Sequence, residues 1–158
     1  MQVRDATPDD LPEIRAIYAP YVQDTPITFE EEVPSVEVLG ERMAAAHHYL
    51  VAERDGVVLG YAYAGEHRSR AAYRFSTDLS VYVAQAGRGV GVGKALYGAL
   101  LPRLKVDGFH TAYGGLNLPN DASVALHEHF GFHHIGTFTE VGFKFGKWHD
   151  VGWWQKRL

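Results

Sequence analysis

Between Ser80 and Leu96 the chain reads Ser80-Val81-Tyr82-Val83-Ala84-Gln85-Ala86-Gly87-Arg88-Gly89-Val90-Gly91-Val92-Gly93-Lys94-Ala95-Leu96. An apolar strand runs into a glycine-rich turn and then into the first turns of an amphipathic helix. Such a loop points successive backbone N–H groups at one spot before a helix N-terminus, where partial positive charge favours an anion, phosphate above all. Gly87, Gly89, Gly91 and Gly93 place no Cβ between backbone and ligand, and Arg88 and Lys94 add charge. Two familiar phosphate loops do not fit. A P-loop needs Gly where Arg88 stands and Ser or Thr where Ala95 stands. The dinucleotide pattern G-x-G-x-x-G breaks at Lys94 when counted from Gly89 and at Val92 when counted from Gly87. What remains is Arg88-x-x-Gly91-x-Gly93 directly after Val81-Tyr82-Val83.

That pattern resembles the pyrophosphate loop of the GNAT acyl-CoA N-acyltransferases, Gln/Arg-x-x-Gly-x-Gly/Ala. A second segment, Asn120-Asp121-Ala122-Ser123-Val124-Ala125-Leu126-His127-Glu128-His129-Phe130-Gly131-Phe132, resembles the family's other signature. The resemblance implies that Asn120 and Ser123 contact the pantetheine and phosphate part of acetyl-CoA. Helix capping is the plainer reading of both residues. His127 stands where the family usually has Tyr, and this replacement is similar to that in the phosphinothricin and methionine sulfoximine (sulfone) N-acetyltransferases. The likeness to that subfamily extends through Thr25-Pro26-Ile27-Thr28-Phe29, Gly60-Tyr61-Ala62-Tyr63-Ala64-Gly65, Arg68-Ser69-Arg70-Ala71-Ala72-Tyr73 and the Trp-rich tail from Val141 to Gln155. It implies an α/β (α+β) GNAT fold with acetyl-CoA as co-substrate. It also implies a small amino-acid-like acceptor, and a homodimer with the C-terminal strands near the neighbouring subunit.

Acetyl transfer to an amine needs the pyrophosphate held, the thioester carbonyl polarised, the ammonium deprotonated and the thiolate protonated. The amides from Gly89 through Val90, Gly91, Val92 and Gly93 to Lys94 answer the first need, together with Arg88. The backbone of Val81, Tyr82 and Val83 answers the second, pairing with pantetheine as an added strand and donating an N–H to the carbonyl oxygen. Strand alternation puts Ser76, Asp78, Ser80 and Tyr82 on one face and Thr77, Leu79, Val81 and Val83 on the other. Asp78 is the candidate base, where the subfamily usually has Glu; being one methylene shorter, it reaches the amine directly or through a water. The plainer reading of Asp78 is a partner for Arg70 or Arg74. His127 is the candidate acid for the thiolate, or a partner in the base work, and otherwise a satisfied core histidine. Arg68 and Arg70 suit a carboxylate and a second tetrahedral polar group. Ser69, Tyr73, Leu79 and Ser80 are expected to line the same pocket, with Phe29 covering it.

These residues need elements to carry them. The alternation of patterns predicts a strand at Val3–Ala6, a helix from the Thr7-Pro8-Asp9-Asp10 cap to about Tyr18, and a helix capped by Ser35 to about Ala46. Strands at Tyr49–Glu53 and Val57–Ala64 join at Arg54-Asp55-Gly56, a hairpin signal. Phe75–Val83 reads as a strand, Gly91–Val106 as a helix, His110–Gly115 as a strand and Asp121–Phe130 as a helix stopped by Gly131. Two strands, His133–Lys144 and Val151–Lys156, complete a mostly antiparallel sheet flanked by helices. A length of 158 residues fits one domain spanning 1–158, and 46% hydrophobic with 22% charged residues is ordinary for a globular protein. Net charge −4 gives no reason to expect nucleic acid or a membrane surface as partner. No cysteine is present, and no His spacing matches a zinc motif, so no metal is expected. The N-terminus lacks a signal-peptide pattern, and a cytoplasmic location is the expectation. Two other readings share the fold: an acetyl-CoA-binding regulatory module with little turnover, and an N-acetyltransferase for another small amine or a peptide N-terminus.

Overall fold

A computed structural model describes residues 1–158. In chain order the elements are β1 (Gln2–Asp5), α1 (Leu11–Asp24), α2 (Val36–Ala45), β2 (His48–Arg54), β3 (Val57–Glu66), β4 (Ser76–Val83), α3 (Val92–Val106), β5 (Thr111–Asn117), α4 (Asp121–His129), β6 (His133–Lys144) and β7 (Lys147–Arg157). The seven strands form one sheet in the order β1-β2-β3-β4-β5-β7-β6. Every neighbouring pair is antiparallel except β4 with β5.

Local chemistry accounts for most boundaries. Asp55 and Gly56 both have positive φ, 53° and 78°, the requirement of a two-residue hairpin turn between β2 and β3. The Ser35 hydroxyl accepts from the Val38 N–H and starts α2. Two boundaries differ from the sequence expectation. α1 runs past Tyr18 and through Pro20 to Asp24, because the turn beyond the proline buries Val22 in the core. β7 begins at Lys147 rather than Val151, because Phe145 and Gly146, at φ 54° and 70°, close a hairpin as tight as Asp-Gly does.

Each face of the sheet has its own core. On one, Leu96, Tyr97, Leu100 and Leu104 of α3 pack on Leu50, Ala62, Leu79 and Ala112. On the other, Ile14, Ile17, Tyr18 and Val22 of α1 meet Tyr49, Val51 and Tyr61. Period-2 alternation along β4 sends Thr77 and Leu79 into the α3 face and leaves Asp78, Ser80 and Tyr82 facing the α1 side.

Candidate active site

The parallel pairing of β4 with β5 stops early. Ser76, Thr77 and Asp78 pair with Thr111, Ala112 and Tyr113, and beyond them the two strands part. From Leu79 to Val83, β4 pairs with β3 alone, while Gly114 to Asn117 of β5 pair with β7 alone. One edge of β4 is thus left open in the middle of the sheet, able to take an extended ligand as a strand would. A groove of about 830 Å³ lies in this fork, walled by Val81 and Val83, by the loop from Gly87 to Lys94, by Asn120 and Ser123 of the α4 start, and by Thr25 and Ile27.

The glycine loop ends at Gly91, the N-cap of α3, in the left-handed conformation at φ 86°, with no side chain capping the helix. The amides of Val92, Gly93 and Lys94 lie in the first turn, where no helical carbonyl stands four residues back. All three residues line the groove, and free amides in a first helical turn suit an anion. Gly87 is needed for space instead: a Cβ there would come within 2.8 Å of the Leu59 carbonyl oxygen. Arg88 lies over the Tyr21 ring at 5.8 Å, and the Tyr21 hydroxyl donates to the Val83 carbonyl at 2.6 Å. Val90 is exposed and lines no part of the groove, so any contact it makes comes from its backbone. Tyr82 turns its ring away from the fork into an aromatic cluster with Tyr18, Tyr21 and Tyr61. At the start of α4 the Asn120 side chain accepts from the Ser123 N–H, so Asn120 caps the helix and also faces the groove.

Asp78 occupies the last rung before the strands part, about 10 Å along the strand from Val81. Its carboxylate pairs with neither Arg70 nor Arg74 but accepts from His67 Nδ1 at 2.6 Å. Partial burial pushes the Asp78 carboxyl above the usual aspartate value, against the opposing pull of His67 and Arg68. The His67 ring stacks on Tyr113, with centroids 4.6 Å apart, and meets Tyr73 edge-on. Arg68, Ser69 and Arg70 are exposed on the segment following β3; Arg68 donates to the His67 carbonyl, and Arg74 lies over the Phe75 ring. Ser80 shares the Asp78 face of β4. Leu79 does not line this side as expected: its side chain is buried in the α3 core, the opposite face of the same strand. Phe29 packs against the backbone of Gly142 and lies 6.2 Å from the His149 ring, so it is held by the β6–β7 hairpin.

His127 is fully buried and lines no wall of the groove. Its Nδ1 donates to the Ser123 carbonyl at 2.7 Å, which leaves Nε2 to accept from the Tyr97 hydroxyl at 3.0 Å. Burial lowers its pKa and keeps the ring neutral. With both nitrogens occupied, this arrangement is that of a satisfied core histidine and gives the acid role no free atom. The ring sits over Gly114, where a Cβ would come within 2.5 Å of Nε2.

Known proteins share both the sequence and the fold of this chain. A family model described as acetyltransferase (GNAT) domain matches residues 3–153. The chain belongs to the GNAT acetyltransferase family. It is an acetyl-CoA-dependent N-acetyltransferase. The chain is 38% identical to phosphinothricin N-acetyltransferase of Streptomyces coelicolor over 100% of its own length and 96% of the relative's. It is 34% identical to the L-methionine sulfoximine/L-methionine sulfone acetyltransferase of Pseudomonas aeruginosa, over 99% and 94%. A ribosomal-protein-alanine N-acetyltransferase from Brucella melitensis has the same fold, with TM-score 0.96 and 38% identity covering both chains fully. A phosphinothricin acetyltransferase from Sinorhizobium meliloti, solved in complex with AcCoA, gives TM-score 0.96 at 36% identity, over 99% of this chain and 88% of that one.

Two residues of this acetyltransferase escape sequence reasoning. His67 could have been found from register, because Gly65 pairs with Asp78 and alternation returns residue 67 to the same face. Lys144 carries no such signal. It is buried, and its ammonium donates to the carbonyls of Val22, Thr25 and Thr28 at 2.7, 2.8 and 2.9 Å, fastening the loop after α1 to the β6–β7 hairpin. No group of three or more His, Asp or Glu side chains is arranged to hold a metal, and no helix is long and apolar enough to cross a membrane.

Proposed function

We propose that this acetyltransferase acts on the α-amino group of a small amino-acid analogue of the phosphinothricin, methionine sulfoximine or methionine sulfone type, by direct attack within a ternary complex. The observation that carries this reading is the Asp78 carboxylate at the mouth of the fork, bonded to His67 and within electrostatic reach of the Arg68 guanidinium. The amine would lie against the Asp78–His67 pair, while the acceptor's own carboxylate meets Arg68 and its tetrahedral group meets Arg70, which makes no ion pair within the chain. The amides between Gly89 and Lys94 hold the pyrophosphate, and the open edge of β4 holds the pantetheine and polarises the thioester carbonyl. Asp78, with the His67 ring hydrogen-bonded to it, provides the sink for the ammonium proton. The relatives named for phosphinothricin and for methionine sulfoximine support this acceptor class.

A second reading, a peptide N-terminus, is favoured by the neighbour named for a ribosomal-protein alanine. The uncompensated Arg68 and Arg70 make a basic peptide the poorer guest. CoA release with phosphinothricin, methionine sulfoximine, methionine sulfone and an Ala-initiated peptide decides between them. Turnover is expected on at least one of the three analogues, with a specificity constant well above that for the peptide; the reverse order overturns the reading. We also place the enzyme in the cytoplasm as a homodimer. The support for the dimer is the C-terminal hairpin, where Ile135, Phe138, Val141, Phe143 and Trp148 are about half exposed along an edge strand and its partner.

A further inference from the structure

We propose that the group touching the acceptor amine is His67, and that Asp78 acts through it as a positioning residue. This inference rests on the acetyl-transfer reading above and names the proton acceptor within it.

Four observations converge on His67. Its Nδ1 lies 2.6 Å from Asp78 Oδ1, so with the carboxylate ionised the ring proton sits on Nδ1. Its Nε2 therefore carries a lone pair, and that atom makes no hydrogen bond to any other residue. The ring is fixed by the Tyr113 face at 4.6 Å and the Tyr73 edge at 5.8 Å, and Tyr113 is itself held by a hydrogen bond from Gln155 at 2.9 Å. Arg68, the next residue, anchors back on the His67 carbonyl at 3.2 Å. An α-amino acid holding its carboxylate on Arg68 then has its ammonium two bonds from the carboxyl carbon, within reach of the neighbouring His67 ring. The charged and titratable groups around the ring are thus Asp78 from β4, Tyr113 from β5, Tyr73 from the turn before β4, and Arg68 alongside.

The chemistry favours the imidazole over the bare carboxylate. A base works best with a pKa near the working pH, which an imidazole has and an ordinary carboxylate lacks. The carboxylate at Nδ1 fixes the tautomer and strengthens Nε2 as an acceptor, the orienting role a buried acid plays toward histidine in other sites. A carboxylate of aspartate length, held back at the rung, gains its reach through the ring. In the reaction Nε2 takes one proton from the acceptor ammonium. The freed nitrogen lone pair forms the N–C bond at the acetyl carbonyl carbon as the C–S bond breaks with its electrons on sulfur. A second proton leaves nitrogen for the thiolate, giving free CoA thiol, and His67 returns the first proton to solvent.

The dyad is tested with and without an acceptor. In 15N-labelled protein, long-range imidazole correlations should place the neutral His67 proton on Nδ1, and Asp78→Ala should move the neutral ring toward the tautomer protonated on Nε2. A neutral form protonated on Nε2 in the wild type, or a tautomer unmoved by Asp78→Ala, overturns the dyad whatever the acceptor is. With whichever amine the wild type acetylates, His67→Gln should lower kcat about 100-fold while acetyl-CoA still raises the melting temperature as in the wild type. Added imidazole should restore part of the lost rate in His67→Ala. A His67→Gln kcat within threefold of wild type overturns the proposal. Wild-type inactivity on every amino-acid analogue instead overturns the acceptor class, and leaves the resonance measurement to judge the dyad.

Discussion

At the level of single residues, the neutral imidazole of His127 is the form the folded core accepts, because burial lowers its pKa below the usual 6.5. As pH falls, the unfolded chain takes up this proton before the folded one does, so the unfolded state binds more protons and stability drops. The loss begins near the unfolded pKa of about 6.5 and is absent above it. Melting temperature should therefore fall between pH 7 and pH 5, and His127→Gln should lower it at pH 8 but flatten its slope on acidification. An equally steep slope in the variant would assign the acid sensitivity elsewhere. His127→Ala should cost about 2–4 kcal/mol, as the loss of a large buried side chain does. The residue types around the site were readable in the chain, since a carboxylate on the strand feeding the loop and a histidine inside the second motif both stand out. Their partners were not. The hydrogen bonds from His67 to Asp78 and from Tyr97 to His127 depend on ring orientation across elements, which no spacing in one dimension encodes.

Among the elements, the loop after α1 matters more than its irregular sequence suggests. Thr25 and Ile27 wall the groove, and the Lys144 ammonium binds carbonyls at both ends of that stretch and at the last turn of α1. A cation is also well placed at a helix C-terminus. Lys144→Met should leave three acceptors without their donor, each costing about 1–3 kcal/mol. Urea denaturation should show a loss of at least about 3 kcal/mol on that scale. The KM for acetyl-CoA should rise severalfold even where the protein remains folded. An unchanged KM would mean that the loop holds its shape without the lysine. Helix and strand periodicity was legible for nearly every element, and the glycine stops at Gly108 and Gly131 fall where the helices end, both with positive φ. The length of α1 beyond Pro20 and the tight Phe145-Gly146 turn were not. In both cases tertiary burial and pairing outweigh local propensity, which reads proline as a stop and phenylalanine as a poor turn residue.

For the molecule as a whole, the proposed pairing of two copies follows from what the sheet leaves uncovered. Trp154 is buried and Trp153 half-buried, but Trp148 is 62% exposed and packs on Phe143, itself 55% exposed. Phe143→Asp with Trp148→Asp should convert a dimer to monomer in light scattering, with the melting temperature of the monomer little changed, because neither side chain enters the core. A wild type that scatters as a monomer at micromolar concentration would refute the pairing. A mostly antiparallel sheet flanked by helices was implied by the resemblance and by the order of the elements. The splay of β4 from β5 was not, since divergence of two strands leaves no trace in either strand's own pattern. That splay divides labour along a single strand. On the proposed reading the donor grips main-chain groups, which every residue type supplies alike, whereas the acceptor meets side chains on the Asp78 face, Ser80 among them. Substitution at Ser80 is therefore free to retune which amine is accepted without disturbing how the acetyl group arrives, so one scaffold can diversify its guests while keeping its fuel.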